Sequence, residues 1–316
     1  MCRSYLKSKT LLESIYLLLF KDDSYKDVKS QIDFDNVLYF NNKVLGKMTL
    51  DHAEKYNLLP KEQYGSRKGH NSIEHAINKR LTYDILRQFR SPGALCSNDA
   101  KSCYDRIIHS IAMLAYRRLG IPIPPVQCMV KTIQNMKHHV RTTFGDSTFT
   151  MNRDGVLEPY QGALQGNGAS PATWVVISAP LLNMLRQSGN GGYFVEPISK
   201  KIHHTVGFAF VDDTDVLAST PRNNNPDTTM QKMQQTITYW EKAAKVTGGA
   251  IAPSKSWYYL IHFEWKNGKW SYGDMSNVLE DSLKCLDKNN VIHELRNKAP
   301  SEATEMLGVF LAPDGN

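Results

Sequence analysis

Residues 206–218 read VGFAFVDDTDVLA, two apolar runs, Val206–Val211 and Val216–Ala218, around the acidic stretch Asp212-Asp213-Thr214-Asp215. Short β-branched and aromatic runs flanking a polar tip specify a strand, a tight turn and a returning strand. The remaining elements must fit an antiparallel hairpin with carboxylates at its tip. Two adjacent aspartates repel at close range, and hairpin geometry gives little reason to set them side by side. A solvated turn, with Asp215 as a turn residue, is the plain reading of the pair. A divalent cation is the chemical one, because hard oxygen ligands hold Mg²⁺ and a bound cation removes the repulsion.

Outward from the hairpin, Ala94–Cys96 (ALC) reads as a short buried strand leading into Asp99. If that strand lies beside the hairpin, Asp99, Asp212 and Asp213 reach a common sheet edge. Ile73, Ile77, Leu81, Ile85 and Phe89 recur at helical spacing, and Asn71 with Glu74 makes a capping box at the start of that helix. Ile107, Ile108, Ile111 and Leu114 continue as an amphipathic helix ending near Gly120. Ser170-Pro171 opens a largely buried helix through Leu185, with Pro180 placed to kink it. Asp227 caps a further helix that Gly248-Gly249 stops, and Asn267-Gly268 favours the type I′ turn of a second hairpin. The order of elements gives an α+β class with antiparallel hairpins.

The bulk properties set wider bounds. With 316 residues, 41% of them hydrophobic, the chain can bury a substantial core in one large or two smaller domains, and its composition excludes disorder. No fixed repeat supports a solenoid. Lysine and arginine exceed aspartate and glutamate by 38 to 31, a formal charge of +7 that mildly favours polyanionic partners. Five cysteines without CxxC spacing read as reduced intracellular thiols. The run Leu11–Phe20 (LLESIYLLLF) is about half a membrane span and contains Glu13, so it reads as a short N-terminal helix. The polar stretch 21–31 separates it from the rest, which makes residues 1–35 an extension, loosely packed, and 36–316 the main domain.

Three segments occur in succession: NDAKSCYDRI (Asn98–Ile107), LQGNGASPATW (Leu164–Trp174) and FAFVDDTDVLA (Phe208–Ala218). Together they resemble reverse transcriptases, especially those of non-LTR retrotransposons. The resemblance implies that Asp99, Asp212 and Asp213 hold catalytic Mg²⁺ ions, with Mn²⁺ as an alternative. Tyr104, five positions after Asp99, would lie under the incoming sugar and exclude a ribose 2′-hydroxyl. Asp105 would support structure only. Gln165, Gly166, Ser170 and Pro171 match the QGxxxSP segment that packs near the nascent base pair. Phe210-Val211-Asp212-Asp213 matches the aromatic-x-Asp-Asp motif, with phenylalanine where tyrosine is more familiar.

The resemblance extends to EQYGSRKGHNSIEHAI (Glu62–Ile77), which would bring Arg67 and Lys68 to phosphates. It extends also to GAIAPSK (Gly249–Lys255), which would set Lys255 beside the departing pyrophosphate, and to Leu307–Leu311 as the primer-gripping segment. It covers about residues 36–316 and implies a right-hand polymerase palm with an antiparallel sheet backed by helices, partial fingers and a thumb largely absent. The implied activity is RNA-directed DNA synthesis on an RNA or DNA template, with a DNA primer and dNTPs, in the nucleus or cytoplasm and without a membrane. Protein partners are left open. Lys131, Lys137, His138, His139 and Arg141 would follow a nucleic-acid backbone, and an ordinary solvated charged face explains them about as well. The competing readings are an RNA-dependent RNA polymerase, disfavoured by Tyr104 and QGxxxSP, and an inactive retroelement fragment that only binds nucleic acid.

Overall fold

A computed structural model of the chain describes residues 13–20, 28–33, 36–101, 103–142, 145–151, 161–164, 166–220, 225–278 and 282–315. In chain order, its first elements are strands β1 (Glu13–Phe20) and β2 (Val28–Asp33), helices α1 (Asn36–Lys55) and α2 (Ser72–Phe89), and strand β3 (Gly93–Asn98). Helices α3 (His109–Arg118) and α4 (Ile123–Gln134), strands β4 (Lys137–Thr142) and β5 (Gly145–Met151) and helix α5 (Ser170–Gln187) follow. Next come β6 (Gly192–Val195), β7 (Ile202–Thr205), β8 (Gly207–Phe210), β9 (Asp213–Ser219) and helix α6 (Pro226–Val246). The last part holds β10 (Trp257–Ile261), β11 (Phe263–Lys266), β12 (Lys269–Tyr272), β13 (Lys284–Leu286), β14 (Ile292–Glu294), β15 (Arg296–Lys298), β16 (Thr304–Met306) and β17 (Val309–Leu311).

These elements make two units, residues 1–59 with 102–177 and residues 60–101 with 178–316. The second contains a five-stranded sheet in the order β15-β10-β3-β9-β8, in which β10, β3, β9 and β8 are antiparallel neighbours. Period-2 alternation sorts its side chains onto two faces. Ala94, Cys96, Val216, Ala218, Tyr258 and Leu260 pack with Leu181, Leu182 and Leu185 of α5 and with Met230, Met233, Ile237 and Trp240 of α6. On the opposite face Leu95, Leu217, Tyr259 and Ile261 pack with Tyr83 and Leu86 of α2. At about 25 cal/mol per Å² of apolar surface, these two faces carry most of the unit's hydrophobic stabilisation.

Helix α2 starts where the capping box places it: the Asn71 side chain accepts from the Glu74 N–H at 2.8 Å. Its buried face differs from the expected one. Ile73, Ile77, Leu81 and Phe89 are exposed, while His75, Lys79, Thr82, Tyr83 and Leu86 face inward. Helix α6 is capped by Asn225, whose side chain accepts from the Asp227 N–H, so Asp227 stands in the first turn and is not the cap. Asn267 and Gly268 both have positive φ and close the β11–β12 hairpin as expected.

The first unit has a four-stranded sheet, β2-β1-β4-β5. The apolar run at Leu11–Phe20 therefore forms a strand over Glu13–Phe20, antiparallel to β2 and parallel to β4, and not the expected helix. Eight residues, six of them apolar, fit either element, and here the partner strand, more than a hundred residues downstream, decides. In the same unit Met129, Val130, Ile133 and Met136 of α4 and the residues just after it pack with Leu164 and Ala169. Among the described residues no helix is long and apolar enough to cross a membrane.

Candidate active site

The register of the second unit's sheet builds one carboxylate-bearing edge. Strands β8 and β9 form a two-residue hairpin in which Phe210 pairs with Asp213, so the turn consists of Val211 and Asp212. On the other side of β9, Asn98 pairs with Thr214. Asp99 follows directly on that strand, and its charge bears on Asp213. Asp99 is held there through its backbone: its N–H donates to Ser256 Oγ at 3.2 Å and its carbonyl accepts from the Ala252 N–H at 2.9 Å. A bridge between Ala100 and Ile251 continues the pairing, so the Gly249–Lys255 segment lies along the Asp99 loop, with the Lys255 side chain exposed.

The electrostatics follow from this crowding. Asp213 is pushed up to about 6, first by water lost to its packed surroundings, then by the charges of Asp212, Asp215 and Asp99, with Lys79 opposing. Since Asp213 remains open to solvent on one side, the convergent negative charges are the sturdier part of that cause. Asp215 is not the turn residue it was expected to be. It sits in β9 with its side chain 1% exposed, and its Oδ2 accepts from Lys79 Nζ of α2 at 2.6 Å. Alternation puts Asp213, Asp215 and Leu217 on one face of the sheet, so the buried ion pair lies one strand step beneath Asp213.

A second support is Gln63, which lies in the Glu62–Ile77 segment and to which the resemblance assigns no role. Gln63 Oε1 accepts from the backbone N–H groups of both Gly65 and Val211 at 3.0 Å. Its Nε2 donates to Ser178 Oγ and to the Val211 carbonyl. Val211 holds a φ of 57°, an unfavourable region for a β-branched residue, and these bonds fix it there. Gly65 is the residue that lets the two chains approach: a methyl at its Cα would stand 2.3 Å from the Val211 nitrogen. Tyr64 N–H donates to the Ala209 carbonyl and Ala209 N–H to the Glu62 carbonyl, which extends the clamp along β8. Glu62, itself buried, is paired with Arg186 of α5 at 2.5 Å. Phe210 lies edge-on to His75, whose burial holds its imidazole down at about 4 and hence neutral.

Arg67 braces its own loop, with Nη1 donating to the Pro60 and Gln63 carbonyls at 2.9 Å. In the first unit Tyr104 opens a 3₁₀ turn, and its carbonyl accepts from Ala163 N–H at 2.7 Å. Gly162 N–H donates to Ile107, and His109 Nε2 contacts the Gly162 carbonyl at 2.6 Å. Ser170 Oγ reaches the carbonyls of Ala163 and Leu164 at 2.6 and 2.7 Å. The Tyr104 turn and the loop running to Gly166, which has φ of 100°, are thus tied together. Gln165 lies outside the described residues.

For a divalent cation the donor chemistry fits: Asp99, Asp212 and Asp213 offer hard carboxylate oxygens whose repulsion a cation would relieve. Among the described residues no three acidic, imidazole or thiol groups are gathered as a ready metal cage.

Comparison with known proteins agrees with this architecture. Residues 36–309 match the family model described as reverse transcriptase (RNA-dependent DNA polymerase). No curated protein matches the chain. Among solved structures it is similar to apo telomerase from Candida tropicalis truncated from its C-terminal domain, with a TM-score of 0.50 at 11% identity over 91% of this chain and 56% of that one. It is similar also to the apo telomerase of that organism, with a TM-score of 0.51 at 12% identity over 91% and 48%. The telomerase in complex with a fragment of telomeric RNA gives 0.50 at 12% over 92% and 47%. The chain spans about half the length of these neighbours, and at such identity they show the fold alone: mixed α+β, with an antiparallel-rich palm sheet and helices.

Proposed function

Because this chain belongs to the reverse transcriptase family, we propose that it carries the catalytic centre of a retroelement RNA-directed DNA polymerase, of the non-LTR type. The observation that supports this most is that Asp99 directly follows β3, the neighbour of β9, while Asp213 opens β9 with Asp212 in the adjoining turn, close enough for the charges of Asp212 and Asp99 to act on Asp213. Mg²⁺ or Mn²⁺ bound to these three carboxylates would stabilise the charge that develops as a primer 3′-hydroxyl displaces pyrophosphate from a dNTP. The residues' own part is positional. Gln63 and Gly65 hold the Val211-Asp212 turn, Ser256 and Ala252 hold Asp99, and the Lys79–Asp215 pair lies beneath Asp213.

By its place in the family motif, Tyr104 excludes the ribose 2′-hydroxyl, and Gln165 and Gly166 pack by the nascent pair. Lys255 serves the pyrophosphate. Arg67, braced by its loop carbonyls, takes a phosphate only through its outer guanidinium edge. The template is RNA, with DNA as a second option, the primer is DNA, and the work is done in the nucleus or cytoplasm. Extension of a DNA primer on an RNA template, with dNTPs and with rNTPs in separate reactions, tests the reading. Extension with dNTPs alone supports it, and a gain of rNTP use in Tyr104→Ala assigns the selection to that ring. Extension with rNTPs alone, or none with either, overturns it.

A further inference from the structure

The sequence WKNGKW, Trp265–Trp270, has no part in the catalytic edge. Strands β11 and β12 pair Phe263 with Tyr272, Glu264 with Ser271, Trp265 with Trp270 and Lys266 with Lys269. Directly opposed residues share a face, and so do residues two apart. One face of the hairpin therefore carries Phe263, Tyr272, Trp265 and Trp270, and the other carries Glu264, Ser271, Lys266 and Lys269. The root of the aromatic face is anchored: Phe263 and Tyr272 pack against the core beside Leu311, and Tyr272 Oη donates to the Pro313 carbonyl at 2.9 Å.

Beyond that root the aromatic face runs out over solvent. Trp265 is 61% and Trp270 44% exposed, their rings meeting edge to face with centroids 5.5 Å apart. An edge-to-face pair recovers about 0.5–1.5 kcal/mol, less than full burial of two indoles would give, so folding supplies no reason for them. The tip is rigid, because Asn267 and Gly268 at φ of 52° and 76° close a two-residue turn. The exposed Lys266 and Lys269 flank it, Lys266 paired with Glu264 at 2.5 Å.

We propose that this hairpin is a stacking platform for single-stranded nucleic acid, distinct from the catalytic edge. Exposed indole faces stack bases without regard to sequence, at about 1–3 kcal/mol per base. Charge complementarity selects this occupant: the exposed Lys269 at the tip, on the opposite face of the hairpin, and the chain's net charge of +7 suit a polyanion with π-faces. Position assigns it a role. Strand β10 begins opposite Ser97, two residues before Asp99, and ends with Ile261 opposite Gly93, so β11 departs from the far end of the sheet, about 20 Å from Asp99 at about 3.3 Å per residue. The platform holds strand that flanks the copied region and leaves chemistry to the other end.

The experiment uses the full chain without dNTPs or divalent metal, so that its outcome is separate from that of the polymerase reading. Binding of labelled 20-nucleotide rU and dT strands is followed by anisotropy and by tryptophan emission, with an abasic strand of equal length as control. Trp174 and Trp240 are buried and Trp257 is half-buried, so the hairpin's share is the quenching lost in the double alanine variant. The proposal expects quenching in the wild type, weaker binding of the abasic strand, about tenfold weaker binding in Trp265→Ala/Trp270→Ala and near-wild-type binding in Trp265→Phe/Trp270→Phe. Equal binding of abasic and normal strands without quenching overturns it. So does unchanged affinity in the double alanine variant, or quenching by anionic lipid vesicles with none by nucleic acid.

Discussion

Replacing Lys79 with methionine removes one partner of a fully buried ion pair and keeps the volume. Both side chains are 1% exposed, the N–O distance is 2.6 Å, and Asp215 Oδ1 has no hydrogen-bond partner of its own. The variant therefore leaves a buried carboxylate without compensation, a change that costs about 3–5 kcal/mol. For a domain of this size each kcal/mol moves the melting temperature by roughly 2–4 °C, so a fall of roughly 6–20 °C is expected. Urea unfolding followed by circular dichroism measures it. The double variant Lys79→Met/Asp215→Leu, which removes both charges, should recover most of the loss, because an apolar pair of similar volume often replaces a buried ion pair at little cost. A loss below about 1 kcal/mol in Lys79→Met, or a double variant no more stable than the single one, would refute the claim that this pair holds α2 against β9.

Gly65→Ala sets a methyl 2.3 Å from the Val211 nitrogen and must displace the carboxylate turn; primer extension should fall at least tenfold while the melting temperature moves only a few degrees. Gln63→Ala leaves the Val211 N–H without its acceptor, at about 1–3 kcal/mol, and should lower both stability and extension rate, as thermal melts and single-turnover assays would read. For pH, Asp213 stands at about 6, above its ordinary carboxylate value. An acid raised in the folded state makes the metal-free protein less stable as pH climbs from about 4 through 6, with no further change above. Asp213→Asn should flatten that limb in a pH series of melts, and added Mg²⁺ should oppose it in the wild type.

The hairpin at 206–218, the Asn71 cap and the Asn267-Gly268 turn were legible because each is set by neighbours in sequence. What escaped depends on distant partners. The strand at Glu13–Phe20 is decided by β4, and a six-residue apolar run, Ile15–Phe20, does not say which element it joins. Helix α2 was read from its isoleucines, yet its inner face carries Lys79 and His75, which periodicity assigns to solvent until Asp215 is known to wait in β9. Asp215 itself was misread because a two-residue turn at Val211-Asp212 leaves it inside the strand. Gln63 stands in the Glu62–Ile77 segment that resembles the family, yet nothing in that segment shows its role, which exists only once the hairpin folds against it. The three aspartates were proposed from their order with Tyr104 and the Gln165-Gly166 segment, and the sheet register puts the end of β3 beside the start of β9.

The central claim is that Asp99, Asp212 and Asp213 form one metal-dependent centre. Its most direct test is extension of a DNA primer on an RNA template across a Mg²⁺ and Mn²⁺ titration, for the wild type and for Asp99→Asn, Asp212→Asn and Asp213→Asn, with melts to confirm folding. The expected result is extension that requires divalent metal and falls at least a thousandfold in each folded variant. Extension that persists in chelator, or that matches the wild type in Asp212→Asn and Asp213→Asn, would contradict it.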